Sequence, residues 1–194
     1  GLRITEIFYS LQGEANTLGL PTVFIRLTGC PLRCTYCDTT YSFEGGERQS
    51  LDEIIQTTLD FKTPYVCVTG GEPLAQPNAI PLMQKLADLG CEVSLETSGA
   101  LDVSKVDPRV SKVLDLKTPT SGEEKRNLMS NLEHLTQHDQ IKFVICNRED
   151  YEWSKLQVEQ YKLNEKVSTV WFSPAFAIEK GAVRLPQLAR DLAQ

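Results

Sequence analysis

The chain has 194 residues, of which 41% are hydrophobic and 24% charged, values typical of a globular protein with a sizeable buried core. Its formal net charge of −6 argues against a nucleic-acid-binding surface, which usually carries a basic excess. No apolar run approaches the ~18 residues of a membrane span, and the opening GLRITEIFYS lacks the apolar core of a signal peptide. We therefore expect a cytoplasmic protein, in which cysteines are more often metal ligands or catalysts than disulfide partners.

Apolar, β-branched segments alternate with helical patterns along the chain. Ser50 and Glu53 form the capping-box pattern at the start of the first predicted helix, since each side chain can bind the other residue's backbone N–H. Predicted strands lie at 22–28, 65–69, 91–96, 112–116, 141–146 and 168–172, and predicted helices at 51–62, 80–89, 123–134, 149–163 and 185–193.

Strand and helix alternating without a break indicate a parallel sheet covered by helices. A complete (β/α)₈ barrel typically needs ~250 residues, so six such units predict an incomplete TIM-like β/α barrel with about six parallel strands. The chain contains no linker rich in Pro, Gly or Ser. We therefore expect one α/β domain over residues 1–194.

Polar and glycine-rich segments follow the predicted strands. GCPLRCTYCDT follows the first strand, GGEP the second, TSGA the third, KTPTSG the fourth and SPAF the sixth. Barrel enzymes build their active sites from the loops at the carboxyl ends of their strands. The sequence therefore predicts a site at that face.

The first of these loops holds Cys30, Cys34 and Cys37, half of the chain's six cysteines. Three thiolates on one loop can converge on one metal centre, but structural zinc and ordinary iron–sulfur sites require a fourth protein ligand. A zinc- or cluster-bearing binding module thus remains a non-enzymatic alternative. The candidate fourth ligands are Cys67, Cys91, Cys146, His134 and His138; we expect the first three to pack as small hydrophobes and the histidines to be solvated.

The C-x₃-C-x₂-C spacing after the first strand resembles the radical S-adenosylmethionine (SAM) superfamily. The resemblance implies a [4Fe–4S] cluster held by Cys30, Cys34 and Cys37, with one iron left open for SAM. VTGGEP, LETSG and DLKTP stand in the next three loops and resemble the superfamily's SAM contacts. The implied SAM-binding residues are Tyr36, Asp38, Gly70, Gly71, Glu72, Glu96, Ser98, Asp115 and Lys117.

The segment ITEIFYSLQGEANTLGLPTVFIRLTGCPLRCTYCDT resembles the 7-carboxy-7-deazaguanine synthase family. This resemblance implies a Mg²⁺-dependent ring contraction of 6-carboxy-5,6,7,8-tetrahydropterin to 7-carboxy-7-deazaguanine with loss of ammonia, in queuosine precursor biosynthesis. It further implies SAM as a catalytic cofactor, Thr39 as the hydroxyl ligand of Mg²⁺, a flavodoxin-type electron donor and a homodimer.

Residues near the first strand suit a small carboxylated heterocycle. Gln12, Gly13 and Glu14 offer the donors and acceptors that a pterin edge needs, although this loop could instead cover the open side of the barrel. Arg26 lies in an apolar strand, where an unpaired charge is costly; its fork suits a substrate carboxylate or a salt bridge to a neighbouring acid. The substrate-binding residues thus expected are Leu11, Gln12, Gly13, Glu14, Arg26 and Thr69.

A second enzymatic interpretation is a radical SAM activase, which installs a glycyl radical on a partner protein. Activases share the cysteine spacing but use the space above the cluster for a polypeptide. SLQGE together with Arg26 favours the small-molecule enzyme. The chain ends at Gln194, earlier than we expect from the family, so carboxyl-terminal substrate contacts are not assigned.

Overall fold

A computed structural model of the protein describes residues 1–175. Its strands form one sheet with the order β3-β1-β2-β4-β5-β6-β7-β8. The strands are β1 (Leu2–Leu11), β2 (Pro21–Leu27), β3 (Glu47–Gln49), β4 (Tyr65–Gly70), β5 (Glu92–Thr97), β6 (Ser111–Asp115), β7 (Gln140–Ile145) and β8 (Thr169–Pro174). From β2 to β8 all pairings are parallel. The predicted partial barrel of about six parallel strands is confirmed.

Two strands were not predicted from the sequence. β1 pairs antiparallel with β2 on one side and with β3 on the other. Phe8 lies opposite Phe24 across the β1–β2 ladder, and their rings stack with centroids 5.0 Å apart. β1 therefore covers the edge that β2 would otherwise expose, which reduces the risk of edge-to-edge association.

The outer layer contains α1 (Leu51–Asp60), α2 (Ala79–Asp88), α3 (Arg148–Tyr161) and the short α4 (Leu163–Lys166). The capping box at α1 is confirmed: the Glu53 N–H donates to Ser50 Oγ at 3.2 Å, and the Ser50 N–H donates to Glu53 Oε2 at 2.7 Å. Within residues 1–175, no helix has the length and apolar character needed to cross a membrane. The helix predicted at 185–193 and the end of the SPAF segment lie outside the described residues.

The helix predicted at 123–134 is wrong, because this segment forms only short 3₁₀ turns. Asn131 is fully buried, and its side chain accepts from the Val103 N–H and donates to the carbonyls of Gly99 and Leu101. Side-chain bonds to a neighbouring loop thus compete with helical hydrogen bonds. In the described residues, neither the β5–β6 nor the β6–β7 crossover contains an α-helix, so the predicted alternation is interrupted.

Side chains alternate between the two faces of each parallel strand. The outward face carries Ile25, Val68, Leu95, Leu114 and Phe143, which form the core together with the helices. The inward face is largely polar and charged. Its members toward the carboxyl ends of the strands are Phe24, Arg26, Thr69, Glu96, Asp115 and Lys142.

Candidate active site

A cavity of about 550 Å³ opens at the carboxyl ends of the strands, the face that the sequence predicts for the site. Leu11 and Glu72 do not line it; Leu11 is 65% exposed at the end of β1. The cavity brings together the other residues expected to bind the cluster, SAM, Mg²⁺ or substrate: Gln12, Gly13, Glu14, Arg26, Cys30, Cys34, Tyr36, Cys37, Asp38, Thr39, Thr69, Gly70, Gly71, Glu96, Ser98, Asp115 and Lys117.

The cysteine loop contributes three free thiols to the cavity wall. Burial raises the pKa of Cys30 and of Cys34, and the neighbouring Lys117 opposes this effect. Among residues 1–175, no group of three or more His, Cys, Asp or Glu side chains is arranged to hold a metal ion. Thiolates are nevertheless the donors that iron–sulfur clusters require, so the donor set fits a cluster whose binding releases the thiol protons.

Hydrogen bonds donated to the loop after β6 hold the cysteine loop in place. The Thr35 N–H donates to the Ser121 carbonyl at 3.0 Å, and Thr35 Oγ1 donates to the Thr120 carbonyl at 2.7 Å. The Arg33 N–H donates to Glu123 Oε1 at 2.7 Å. The cysteines are therefore positioned by a segment about ninety residues further along the chain.

Gly70 and Gly71 pack against the start of the cysteine loop. A Cβ on Gly70 would clash with the Leu27 carbonyl, and one on Gly71 would clash with the Gly29 carbonyl. Gly70 also has a φ of 143°, a conformation that favours glycine. Glycine is therefore required at both positions for the two loops to pack closely, whether or not a ligand also approaches them.

Glu72 is fully buried and connects the loops after β4 and β5. Its carboxylate accepts hydrogen bonds from the N–H groups of Leu74 and Ser98, at 3.0 Å and 2.7 Å, and from the hydroxyls of Thr97 and Ser98. The side chain therefore orders the Ser98 loop at the cavity edge. A contact between Glu72 and the SAM ammonium group remains a prediction.

Two buried polar atoms at the cavity are unsatisfied. Lys117 Nζ donates to Asp115 Oδ2 at 2.9 Å, and it lies 5.8 Å from the centroid of the Tyr36 ring. Asp115 Oδ1 and the Tyr36 hydroxyl are buried and have no hydrogen-bond partner among the described residues. Because an unsatisfied buried polar group costs ~1–3 kcal/mol, these two atoms are suited to bind a polar ligand.

Arg26 forms a salt bridge with a neighbouring acid, the alternative to substrate binding that its place in an apolar strand leaves open. Its Nε donates to Glu6 Oε1 at 2.8 Å, and the Tyr41 hydroxyl donates to the same oxygen at 2.9 Å. Within residues 1–175, the two terminal amino groups of Arg26 have no hydrogen-bond partner. Arg26 therefore lines the cavity with its Nε bound to Glu6 and its terminal amino groups available to bind a ligand.

Sequence reasoning missed Lys142, which also lines the cavity. Its Nζ donates to Glu14 Oε2 at 2.9 Å. Burial alone would lower the pKa of Lys142, but the nearby carboxylates of Asp115, Glu96 and Glu14 raise it above its ordinary value. The signal in the sequence is a lysine inside the apolar run IKFVIC, the same kind of signal that singled out Arg26.

Glu96 lies in the same charged group as Lys142. Burial raises the pKa of Glu96, and the charge of Lys142 opposes that rise. Thr69 Oγ1 donates to Glu96 Oε2 at 2.9 Å. The charged floor of the cavity consists of Glu14, Arg26, Glu96 and Lys142. This mixture of cationic and anionic groups can bind a small molecule that carries both a carboxylate and hydrogen-bond donors.

Thr39 follows the last cysteine of the loop and lines the cavity. Its Oγ1 lies 3.8 Å from Cys37 Sγ. Mg²⁺ requires near-octahedral oxygen coordination, and it commonly keeps waters and shares substrate oxygens. One hydroxyl fits such a site only when other oxygens, from substrate and water, complete the coordination.

The chain is similar to known proteins over most of its length. The family model described as the radical SAM superfamily matches residues 24–155. A protein of Koribacter versatilis named 7-carboxy-7-deazaguanine synthase is 46% identical over 177 residues, covering 90% of this chain and 78% of that protein. The protein of the same name from Chlorobaculum tepidum is 42% identical over 178 residues, covering 90% of this chain and 80% of that protein.

A solved structure shares the architecture. The crystal structure of QueE from Escherichia coli superimposes with a TM-score of 0.71 at 26% sequence identity, covering 89% of this chain and 84% of that chain. The similarity thus extends over most of both chains.

Proposed function

This chain belongs to the radical SAM superfamily and, within it, to the 7-carboxy-7-deazaguanine synthase family, and on that premise we propose that it converts 6-carboxy-5,6,7,8-tetrahydropterin to 7-carboxy-7-deazaguanine with release of ammonia. Membership of the superfamily implies a [4Fe–4S] cluster and SAM. The proposed reaction supplies the deazaguanine precursor of queuosine.

One observation supports this proposal above the others: a single cavity holds both the three thiols and the charged floor. Arg26 and Lys142 supply positive charge, while Glu14 and Glu96 supply negative charge. A carboxylated pterin carries a carboxylate and an amino-pyrimidine edge, which require these two kinds of partner. The activase interpretation is set aside because the named relatives are deazaguanine synthases.

Cys30, Cys34 and Cys37 would hold the cluster. When bound, the cluster and SAM supply the hydrogen-abstracting radical chemistry of the superfamily, with electrons from a flavodoxin-type donor. Hydrogen bonds to the loop after β6 position the cysteine loop, whose three thiols line the cavity. The protein's own task is to place the substrate beside that wall and to exclude water.

The proposed SAM contacts lie around the cysteine wall. Tyr36 and Asp115 offer their unsatisfied polar atoms, and Lys117 supplies a cation beside them. The proposed set is Tyr36, Asp38, Gly70, Gly71, Glu72, Glu96, Ser98, Asp115 and Lys117, in which Glu72 acts by ordering the Ser98 loop and Glu96 also faces Lys142.

The proposed substrate contacts lie on the charged floor and on the loop before β2. The terminal amino groups of Arg26 bind the pterin carboxylate, since its Nε is already held by Glu6. Gln12, Gly13 and Glu14 bind the pyrimidine edge, and Thr69 completes the contacts inside the cavity. Leu11, the last member of the proposed set, does not line the cavity, so its proposed role is to carry the adjacent Gln12 into the cavity wall. Thr39 contributes its hydroxyl to Mg²⁺, and substrate oxygens and water complete the coordination.

The test is one anaerobic assay on the reconstituted protein with SAM, Mg²⁺, reductant and carboxytetrahydropterin. Mass spectrometry should detect 7-carboxy-7-deazaguanine with the natural chain. Cys30→Ala should lower the rate by at least about a thousandfold, a loss of ~4 kcal/mol in transition-state stabilisation. Cys91→Ala is the matched control, because Cys91 is a free cysteine that does not line this cavity.

Two results would contradict the proposal. Formation of 5′-deoxyadenosine without carboxydeazaguanine would retain the radical SAM chemistry but refute the pterin as substrate. Equal product from Cys30→Ala and the natural chain would refute the cluster assignment. The homodimer, the single-domain organisation of residues 1–194 and the cytoplasmic location remain predictions, of which sedimentation of the reconstituted protein tests the first.

A further inference from the structure

The loop between β1 and β2 folds back on itself. The Gln12 N–H donates to the Leu20 carbonyl at 3.0 Å, and the Gly19 N–H donates to the Gln12 carbonyl at 2.8 Å. Ala15 is buried within the loop and has a φ of 65°, a conformation that is unfavourable for a residue with a Cβ. Contacts elsewhere in the molecule must therefore stabilise this loop conformation.

Those contacts come mainly from Asn16. The Asn16 N–H donates to Gln140 Oε1 at 2.9 Å, and Asn16 Nδ2 donates to Ser168 Oγ at 3.1 Å. Thr169 Oγ1 donates to Asn16 Oδ1 at 3.0 Å. All three partners lie at the amino ends of β7 and β8, at least 124 positions away in the chain.

The partners are themselves held in place. Gln140 is 3% exposed, and its Oε1 also accepts from Trp171 Nε1 at 2.8 Å. Ser168 Oγ donates to the Asp139 carbonyl at 2.9 Å. Asn16 thus binds side chains that other hydrogen bonds already hold in place.

These bonds join opposite parts of an open sheet. The loop follows β1 and precedes β2, near one end of the strand order, whereas β7 and β8 form the other end. Glu14, two residues before Asn16, reaches the same side of the barrel through its ion pair with Lys142. The loop therefore crosses the sheet at the amino ends of the parallel strands, the end opposite the mouth of the cavity.

We infer that Asn16 is a positioning residue, which fastens this loop to the amino ends of β7 and β8 and so holds Gln12, Gly13 and Glu14 in the cavity wall. The inference rests on the proposed function, since these three residues are the proposed contacts to the pterin. Asn16 itself does not line the cavity. Its effect on the reaction is through the loop.

Steady-state kinetics of Asn16→Ala test the positioning role. The KM for the pterin should rise about fivefold to tenfold, because part of the binding energy is then spent on ordering the loop. The KM for SAM should stay within twofold, and the iron content of the reconstituted protein should not change. Asn164→Ala is the matched control, since Asn164 is an exposed asparagine on α4, and it should leave all three quantities unchanged.

Hydrogen–deuterium exchange tests the fastening without substrate. Exchange in residues 12–20 should be at least fivefold faster in Asn16→Ala than in the natural chain. Thr169→Val should accelerate the same amides alone but add nothing in the Asn16→Ala background, because the shared bond is already lost.

Each outcome decides the inference separately from the proposed function. Unchanged exchange in Asn16→Ala refutes the fastening, and faster exchange with an unchanged pterin KM refutes the positioning role. If the natural chain makes no carboxydeazaguanine, the proposed function fails on that assay alone. The positioning role for the pterin then fails with it, whereas faster exchange in Asn16→Ala still supports the fastening.

Discussion

At the scale of single residues, Lys142 has the most informative environment. Its ammonium group is largely buried, and such a burial is costly unless carboxylates compensate it. Glu14, Glu96 and Asp115 provide that compensation. The lysine in turn favours the ionised form of Glu96, whose pKa burial raises.

Lys142→Met should therefore impair catalysis in a pH-dependent way. Without the cation, Glu96 takes up a proton at a higher pH, since the group that opposed the burial effect is gone. We expect kcat/KM for the pterin to fall at least tenfold at neutral pH, and the acidic limb of the pH profile to move to higher pH. The measurement is kcat/KM against pH for both chains.

Lys142→Arg is the control for this prediction. It keeps the positive charge beside Glu14 and Glu96, so the acidic limb should stay close to that of the natural chain. A profile that does not move in Lys142→Met would show that Lys142 does not control the ionisation of Glu96.

At the scale of elements, α1 and α2 end in the same way with different residues. Lys62 follows α1 with a φ of 55°, and Gly90 follows α2 with a φ of 86°. Each donates its N–H back to the last turn of its helix, at 3.0 Å in both cases. Glycine adopts this left-handed conformation without the steric cost that a side chain brings.

Substitutions at these two positions should have opposite signs. Lys62→Gly should raise the free energy of unfolding by about 1 kcal/mol, and Gly90→Ala should lower it by about 1 kcal/mol. An added Cβ at Gly90 would meet no atom within 4 Å, so the effect there isolates the backbone. Urea denaturation of the three chains provides the measurement, and shifts of the same sign would contradict this explanation.

At the scale of the whole molecule, three separate loops form one wall of the cavity. The cysteine loop packs against Gly70 and Gly71 and is hydrogen-bonded to the loop after β6. A ligand bound at this wall would contact several loops at once. Such a ligand stabilises only the folded chain, by an amount that grows with its concentration relative to Kd.

SAM should accordingly raise the melting temperature of the anaerobically reconstituted protein. At 100 times its Kd the gain is about 2.7 kcal/mol in the free energy of unfolding. Cys34→Ala should lose most of this gain, since SAM is proposed to bind the cluster that Cys34 helps to hold. Differential scanning fluorimetry with and without SAM measures the shift, and an equal shift in both chains would place SAM binding away from the cluster.

Local patterns predicted much of the fold. The six parallel strands lie in apolar, β-branched runs, which predict a strand from neighbouring residues alone. The Ser50–Glu53 capping box likewise needs only residues three positions apart. The same kind of local pattern failed to predict β1, and it wrongly predicted a helix at residues 123–134. β1 is half exposed and becomes a strand by pairing with β2, and Asn131 binds a distant loop in place of its own turn.

The sequence by itself determined where the six parallel strands lie, the face that carries the site and the spacing of the three cysteines, since each follows from residues that are close along the chain. Only the tertiary structure decided that Arg26 pairs with Glu6, that Lys142 pairs with Glu14, and that Asn16 binds β7 and β8. These contacts join residues 20 to 153 positions apart. No local pattern encodes them, because the folded sheet alone brings its distant edges and loops within hydrogen-bonding distance.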